Sequence, residues 1–285
     1  MQKRYIVADV HGMCGGVFAA LDKLDKMLLR HPGEKVFVLH ELIHNTTVTK
    51  ELEKRGAVFV DSVEAIPPGA PAVIGAHGVS RKVENAIRKV AGSVEDATCP
   101  LVRKLHQTVK SLTPADQLIL FGNRNHPEVS GVLENSGTGN IFIISSPEAV
   151  ALLPELDNPV FLSQTSMDAD RGDEIKALLR QRFANLRCGT SSCEASRQRQ
   201  AAVIRLAEEC QIIIVAGSAH SSNASRLKEV AERCGVPAYL VNDAGDLPVA
   251  ELANCTCVGV TSGASTPEYV LEKIILQLQK IGFSS

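Results

Sequence analysis

The sequence predicts an α/β fold of three domains, related by a pseudo-threefold axis, with mostly parallel sheets around a common centre. Short apolar runs alternate with helix-like stretches along the whole chain. The order of these segments occurs three times, and each occurrence begins at an equivalent cysteine, Cys14, Cys99 or Cys193. Alternating strands and helices favour parallel sheets joined by right-handed crossovers. The three cysteines would then meet at the centre.

The strands and helices of the repeats can be placed individually. Helix-like stretches include residues 47–55 and 224–234, and Gly56 and Gly235 follow them where a C-cap glycine is expected. The first inner strand of each repeat is a short apolar run, at residues 35–39, 117–121 and 211–215. Apolar runs without polar alternation are typical of strands that are covered on both faces.

The repeats define three domains, the third of which is completed by the N-terminal strand: residues 14–97, residues 98–192, and residues 193–285 with 1–13. This division follows from the strand at residues 93–98, which leads to Cys99, and from residues 5–10, which hold the matching place before Cys14. The alternative is a single doubly wound sheet with ordinary loops. The matched positions of the cysteines and polar loops favour three domains.

The composition is that of an ordinary globular protein. The chain has 285 residues, of which 45% are hydrophobic and 22% charged, and its net charge is −2. This charge gives no indication of a nucleic-acid partner or of an anionic membrane surface. The first residues lack the apolar core of a signal peptide, and no apolar run approaches the length of a membrane span. We therefore expect a cytoplasmic protein with no nucleic-acid or membrane partner.

Eight cysteines are too few for a disulfide-stapled fold of this size. Cys255 and Cys257 lie in an apolar run and are interpreted as core residues, Cys210 and Cys234 lie in helix-like stretches and are expected to be packed, and Cys188 is a spare thiol or a loop residue. Three converging thiolates would hold an iron–sulfur cluster with one open iron, because such clusters commonly have four thiolate ligands. Zinc held by three cysteines and a histidine is the rival, although widely spaced ligands are a weak zinc signature.

Polar loops that follow the strands predict an anion pocket, because functional groups gather beyond the carboxyl ends of parallel strands. Candidate residues are His44, His77, His126, Ser221, Ser222, Asn223 and Ser265. Residues 221–223 directly precede a helix, whose N-terminal N–H groups and dipole favour phosphate. The alternative is that the Ser-Ser-Asn segment is only an N-cap and that the histidines are structural. These residues occur in equivalent loops of the three repeats, which favours the anion pocket.

The motifs resemble those of the LytB/IspH family over nearly the whole chain and in the family's order. The matching segments are residues 14–17, 40–45, 76–80, 96–102, 126–129, 163–165, 217–223 and 259–265. The combination is highly specific, although each motif alone is weak. The resemblance implies three α/β domains around a central [4Fe-4S] cluster and reduction of 4-hydroxy-3-methylbut-2-enyl diphosphate, the last step of the non-mevalonate isoprenoid pathway.

Residue roles follow from the resemblance. It implies that Cys14, Cys99 and Cys193 hold the cluster and leave one iron open. Glu128, helped by Thr165, would protonate the departing hydroxyl, and Ser166 with Thr165 would relay protons or hold the substrate hydroxyl. The resemblance also implies that a ferredoxin or flavodoxin donates the electrons. The diphosphate would be held by His44, His77, His126, Ser221, Asn223 and Ser265, with Ser222 as a further small donor.

Two departures from the family pattern concern the cysteine surroundings. Residues 194–200 read Glu-Ala-Ser-Arg-Gln-Arg-Gln, where the family has an aromatic residue and then Ala-Thr-x-Asn-Arg-Gln, and Met13 stands where the family has Phe. Glu194 and Arg197 would add unfamiliar charge near the pocket. This motivates one alternative, a paralogue acting on a different allylic or phosphorylated alcohol. A non-catalytic iron–sulfur sensor is the other.

Overall fold

The structure of the protein is a computed structural model that describes residues 2–189 and 192–285. Contacts between Cα atoms divide the chain into two compact units. The first unit comprises Met1–Gly15, His44–Val48 and Glu194–Ser285. The second unit comprises Gly16–Ile43 and Thr49–Cys193.

Strands and helices alternate along the described chain. The strands are β1 (Lys3–Val7), β2 (Val36–Leu39), β3 (Ala57–Val60), β4 (Pro71–Ile74), β5 (Ser93–Asp96), β6 (Gln117–Phe121), β7 (Ile141–Ile144), β8 (Pro159–Ser163), β9 (Arg187–Cys188), β10 (Ile212–Ala216), β11 (Ala238–Val241), β12 (Cys257–Ser262) and β13 (Phe283–Ser284). The α-helices are α1 (Gly15–Arg30), α2 (Thr46–Lys54), α3 (Arg81–Val90), α4 (Pro100–Lys110), α5 (Pro127–Asn135), α6 (Ala169–Arg182), α7 (Glu194–Glu209), α8 (Ser222–Arg233), α9 (Val249–Leu252) and α10 (Glu268–Lys280). Short 3-10 helices cover Val63–Ala65, Pro147–Leu152 and Ala244–Asp246.

The first unit contains a five-stranded parallel sheet in the order β11-β10-β12-β1-β13. The N-terminal strand β1 pairs with β12, with Val7 opposite Val260. Ile214 packs into an apolar cluster on one face of β10, and Ile213 and Val215 pack into another on the opposite face. Both faces of the strand are thus covered, which explains its uninterrupted apolar sequence.

The second unit contains two four-stranded parallel sheets, in the orders β3-β2-β4-β5 and β7-β6-β8-β9. Strand β6 shows the same two-sided burial, because Ile119 and Phe121 enter one apolar cluster and Leu118 and Leu120 enter another. The edge strands β5 and β9 pair with β4 and β8, each of which is followed by a polar loop. The chain after β5 leads to Cys99, and the chain after β9 leads to Cys193.

The three parallel sheets confirm the predicted α/β class, and the single-sheet alternative is wrong. The predicted strand at residues 117–121 coincides with β6, and the other two inner strands begin one residue later than expected. Gly56 and Gly235 have φ angles of +106° and +82°, as a C-cap requires. The residue bounds of the three repeats stay a prediction.

The described part of the chain contains no helix that is both long and apolar enough to cross a bilayer. Cys210, Cys255 and Cys257 are buried in the core of the first unit, as the sequence suggested. The expectation of a packed Cys234 is wrong. Cys234 is exposed because it is the C-cap residue of α8, beyond the helical face that packs on the sheet.

Candidate functional site

Each of the three predicted ligand cysteines is fixed by the same backbone hydrogen bond. The N–H of Cys99 donates to the carbonyl of Ala76 at 2.9 Å, and the N–H of Cys193 donates to the carbonyl of Thr165 at 2.9 Å. In the first unit, the N–H of Cys14 donates to the carbonyl of Ala264 at 3.0 Å. The acceptors lie in the loops after β4, β8 and β12. A polar loop therefore positions a cysteine in the same way three times.

The three cysteines also share a position immediately before a helix, since α1, α4 and α7 begin at the next residue. Unpaired N–H groups and the dipole at a helix N-terminus favour negative charge nearby. All three side chains are partly exposed. Iron is held by thiolates, so this donor set fits an iron–sulfur cluster.

The buried cysteines of the first unit do not fit that role. Burial raises the pKa of Cys210 to about 12, and its contact with Cys257, at 3.7 Å between the sulfur atoms, acts in the same direction. Burial also raises the pKa of Cys255. Cys210 and Cys255 therefore keep their protons at neutral pH. Together with Cys257 they are core residues.

A buried arginine holds the loop that leads to Cys14. Arg199 in α7 is 4% exposed, and its Nη2 atom donates to the carbonyl of Gly12 at 2.7 Å. The N–H of Gly12 donates to Oγ of Ser262 at 2.7 Å. Gly12 has a φ angle of +74°, and a Cβ atom there would lie 3.2 Å from Oε2 of Glu268. Only glycine suits this turn.

Sequence reasoning assigned no role to Arg199. The available signal was its place six residues after Cys193, where the family pattern also has an arginine. An arginine buried among Ser196, Gln200 and Val203 on one helix face is unusual, because charged side chains are seldom fully buried without partners. This buried face of α7 could be recognised only after the residues that share one side of the helix were known.

The structure brings the predicted acid and its helper together in the second unit. Glu128 lies in the first turn of α5 and is 2% exposed. The N–H of Thr165 donates to Oε1 of Glu128 at 2.7 Å, and Oγ1 of Thr165 donates to Oε2 at 2.8 Å. Burial raises the pKa of Glu128 to about 7, although both hydrogen bonds from Thr165 act to lower it. The carboxyl can therefore hold and release a proton near neutral pH.

Thr165 connects this acid to one of the cysteines. Its N–H and hydroxyl contact Glu128, and its carbonyl accepts the N–H of Cys193. Ser166, the next residue, accepts a hydrogen bond from Nε2 of Gln164 at 3.0 Å. One short loop after β8 thus positions Glu128, its hydrogen-bond donors and Cys193.

Two of the predicted histidines lie together in the second unit. The rings of His77 and His126 meet edge to face, with centroids 5.4 Å apart. His126 is the N-cap of α5, and its Nδ1 accepts the N–H of Glu128 at 3.1 Å. The neutral ring then carries its proton on Nε2, which makes Nε2 a hydrogen-bond donor.

The predicted serines meet at the N-terminus of α8 in the first unit. Ser221 is the N-cap, and its Oγ accepts the N–H of Ala224. Oγ of Ser265 lies 3.5 Å from Oγ of Ser221 and donates to the carbonyl of His44 at 3.0 Å. The N-cap interpretation is correct for Ser221. It is compatible with anion binding, because the remaining N–H groups of the first turn point the same way.

Asn223 and Asn45 hold these loops in place. Oδ1 of Asn223 accepts the N–H of Ala264 at 2.9 Å, and its Nδ2 donates to Oγ of Ser196 at 3.2 Å. Nδ2 of Asn45 donates to the carbonyl of Ser265 at 3.0 Å. Ser222, the first residue of α8, is partly exposed. The amides therefore tie the loop that contacts Cys14 to the helix that would bind an anion.

A family described as LytB protein matches residues 5–279. The chain belongs to the LytB family. It is 38% identical to the 4-hydroxy-3-methylbut-2-enyl diphosphate reductase of Klebsiella pneumoniae, over 97% of this chain and 90% of that protein. It is likewise 38% identical to the enzyme of that name from Neisseria meningitidis, over 99% of this chain and 88% of that protein.

Solved structures agree with this assignment. The E-1-hydroxy-2-methyl-but-2-enyl-4-diphosphate reductase from Plasmodium falciparum is similar, with a TM-score of 0.91 and 30% identity over 100% of this chain and 92% of that chain. A second structure, of (E)-4-hydroxy-3-methyl-but-2-enyl diphosphate reductase, has a TM-score of 0.66 and 27% identity over 98% and 100% of the two chains. The resemblance seen in the motifs is confirmed.

The departure from the LytB pattern after Cys193 has a local structural account. Glu194 is exposed, and its Oε1 accepts Nε2 of Gln198 at 3.0 Å along the same helix face. Ser196, which replaces the usual threonine, keeps a hydroxyl for Asn223. The substituted residues therefore preserve the contact that the loop needs.

The raised pKa of Glu128 has a consequence for stability. Below pH 4.5 the carboxyl is protonated in both folded and unfolded states, and between 4.5 and about 7 only the unfolded state loses the proton. The free energy of unfolding therefore falls as pH rises through this window, by about 3 kcal/mol in total. Glu128→Gln has no carboxyl at this position and does not lose stability in this way. The free energy of unfolding of the variant minus that of the original protein should therefore rise over the same pH window and level off above it.

Urea unfolding of both proteins at a series of pH values measures the effect. Glu134→Gln, on the exposed side of the same helix, is the matched control for removing one carboxyl. A stability difference for Glu128→Gln that does not change between pH 4.5 and 7 would show that the buried carboxyl titrates normally.

Proposed function

We propose that the protein removes the allylic hydroxyl of 4-hydroxy-3-methylbut-2-enyl diphosphate by reduction. Two electrons and two protons enter, the C–O bond breaks, water leaves, and isopentenyl or dimethylallyl diphosphate forms. The observation that carries the proposal is Glu128, a buried acid with a pKa of about 7, joined through Thr165 to the loop of Cys193. Membership of the LytB family supports the choice of substrate and pathway.

The LytB family depends on an iron–sulfur cluster. We infer a [4Fe-4S] cluster held by Cys14, Cys99 and Cys193, with one iron that has no protein ligand. When bound, the cluster supplies the electrons and a Lewis-acidic iron for the hydroxyl oxygen. The repeated loop and helix start at each cysteine support this ligand set.

The diphosphate is a ligand for the polar loops. His77 and His126 offer ring N–H donors, and Ser221, Asn223 and Ser265 surround the N-terminus of α8, where the helix dipole favours a negative charge. Ser222 and His44 complete the proposed set. Binding the diphosphate fixes the position of the allylic carbon, which lowers the entropic cost of reaching the transition state.

Glu128 supplies the proton. At neutral pH a large fraction of its carboxyl is protonated, and Thr165 holds both oxygens in a fixed orientation. Donation to the hydroxyl as the C–O bond breaks lets the oxygen leave as water. Ser166, the residue after Thr165, would hold the substrate hydroxyl. One motivation for a paralogue acting on another alcohol is removed, because Glu194 is exposed and bonded to Gln198.

Anaerobic purification, iron and sulfide analysis, and oxidation of a reduced viologen dye with the substrate test the proposal directly. Substrate-dependent oxidation that yields the two five-carbon diphosphates supports it. A cluster-loaded protein that does not turn over this substrate contradicts it. The natural electron donor, a ferredoxin or flavodoxin, and the cytoplasmic location stay predictions from the sequence.

Glu128→Gln should reduce turnover by a factor of about 10² to 10⁴ and leave the absorbance spectrum of the cluster unchanged, because the amide cannot donate an acidic proton. The measurement is the initial rate with reduced viologen. Glu134→Gln on the same helix should retain full activity. Full activity of Glu128→Gln would exclude Glu128 as the acid.

Replacing Cys14, Cys99 or Cys193 by Ser should lower the iron and sulfide content, because each loses a thiolate ligand. Analysis of the anaerobically reconstituted variants measures this without any assay of turnover. Cys188→Ser and Cys234→Ser change exposed cysteines and are the controls. Equal loss of iron in the controls would contradict the proposed ligand set.

Thr165→Val should shift the pH dependence of turnover. Its hydroxyl lowers the pKa of Glu128, so loss of the hydroxyl raises that pKa above about 7. The acid then keeps its proton to higher pH, and the pH at which kcat begins to fall is higher. Thr165→Ser keeps the hydroxyl and should leave that pH unchanged. Identical profiles for the Val and Ser variants would contradict this coupling.

A further inference from the structure

Two adjoining hollows lie on the surface of the second unit. They have volumes of about 360 Å³ and about 430 Å³, and both are lined by Thr98, Arg103 and Gln107. The basic side chains around the two hollows are Lys23, Arg81, Arg103, Lys104 and Lys110. We call this area the basic surface.

The basic surface is locally positive although the whole chain has a net charge of −2. The hollows contain two acidic residues, and both are engaged within the protein: Glu84 pairs with Arg88 at 2.8 Å, and Asp96 pairs with Arg103 at 2.8 Å. Within residues 2–189 and 192–285, no carboxylate lies within ion-pair distance of Arg81, Lys104 or Lys110. These three cations are available to a negatively charged partner.

The basic surface reaches the backbone on both sides of a proposed cluster ligand. Thr98 and Pro100, the neighbours of Cys99 in the chain, both line the first hollow. The N–H of Thr98 donates to Oδ1 of Asp96 at 2.9 Å, which fixes this loop. Electron transfer through protein slows steeply with distance. A redox partner bound here would approach the ligand Cys99 with only one loop between them.

The surface also has the composition of a small, transient interface. Leu101 is 42% exposed and lies one helical turn from Lys104, so an apolar side chain stands beside the cations. Weak electron-transfer complexes bury little area, and their charged rims speed association and set orientation. Charge complementarity requires the partner to present carboxylates.

We propose that the basic surface docks a small acidic one-electron carrier protein, which passes electrons to the cluster by way of Cys99. The proposal rests on the proposed function, because it requires a cluster at Cys99 and a reductive reaction. Two carrier molecules are each oxidised by one electron. The two electrons, with two protons, replace the C–O bond of the substrate by a C–H bond and release water.

The test uses the cluster-loaded protein and two purified probes, a [2Fe-2S] ferredoxin and a flavodoxin. The surface variant combines Arg81→Glu, Lys104→Glu and Lys110→Glu. The control variant combines Lys54→Glu, Arg180→Glu and Lys280→Glu, which changes the total charge equally at exposed helix positions elsewhere. Calorimetric titration at low and at high salt gives the affinities. Iron content and melting temperature establish that all three proteins are equally folded and loaded.

The surface variant should lose about tenfold or more in affinity for the carrier at low salt, and the difference should shrink at high salt. The control variant should bind as the original protein does. In turnover, the surface variant should have a raised KM for the carrier and an unchanged rate with reduced viologen. Viologen is a small dye that does not need the docking surface.

Three results would overturn the proposal: equal carrier affinity of the surface variant and the original protein, an equal loss in the control variant, or no binding of either probe to the original protein. Failure of the proposed function is distinguishable. It would appear as absent turnover with viologen in every protein, whereas the calorimetric titration judges the docking surface by binding alone.

Discussion

The hydrogen bond between a cysteine N–H and the carbonyl of a loop after a neighbouring strand is the contact on which the site depends. It occurs at Cys14, Cys99 and Cys193, with acceptors at Ala264, Ala76 and Thr165. Parallel pairing aligns the carboxyl ends of adjacent strands at one sheet edge, so a chain leaving one strand meets the loop of the next. A displaced strand would carry its cysteine away from the polar residues of that loop.

This dependence explains which features could be predicted from sequence. Apolar runs such as residues 117–121 identify strands because two-sided burial leaves a plain signature, and the C-cap glycines mark helix ends because few other residues tolerate positive φ angles. The proposal that Cys14, Cys99 and Cys193 are the ligands follows from their equivalent positions. In contrast, the expectation that Cys234 is packed is wrong. A small error in the position of a helix end is enough to move a residue from the packed face to solvent.

The energetics of the site could not be predicted, because they depend on distances across the fold. Glu128 stands 37 positions from Thr165, and no local pattern shows that the two meet. Arg199 is 187 positions from Gly12, whose carbonyl it binds. Both contacts join elements that are adjacent only after the sheets form. Sequence reasoning can name an acid, but burial and hydrogen bonding decide its pKa.

The balance at Glu128 illustrates why a scaffold must impose such contacts. Burial alone would stabilise the protonated carboxyl so strongly that it would be a poor donor, and the two hydrogen bonds from Thr165 stabilise the charged form and limit the rise. The result is a pKa of about 7, where a group both holds its proton at rest and can release it. The residue that sets this balance also accepts the N–H of Cys193. A shift of the segment at Cys193 would therefore change the hydrogen bonds of Glu128, so the position of one proposed ligand and the acidity of the proposed proton donor are fixed by the same residue, Thr165.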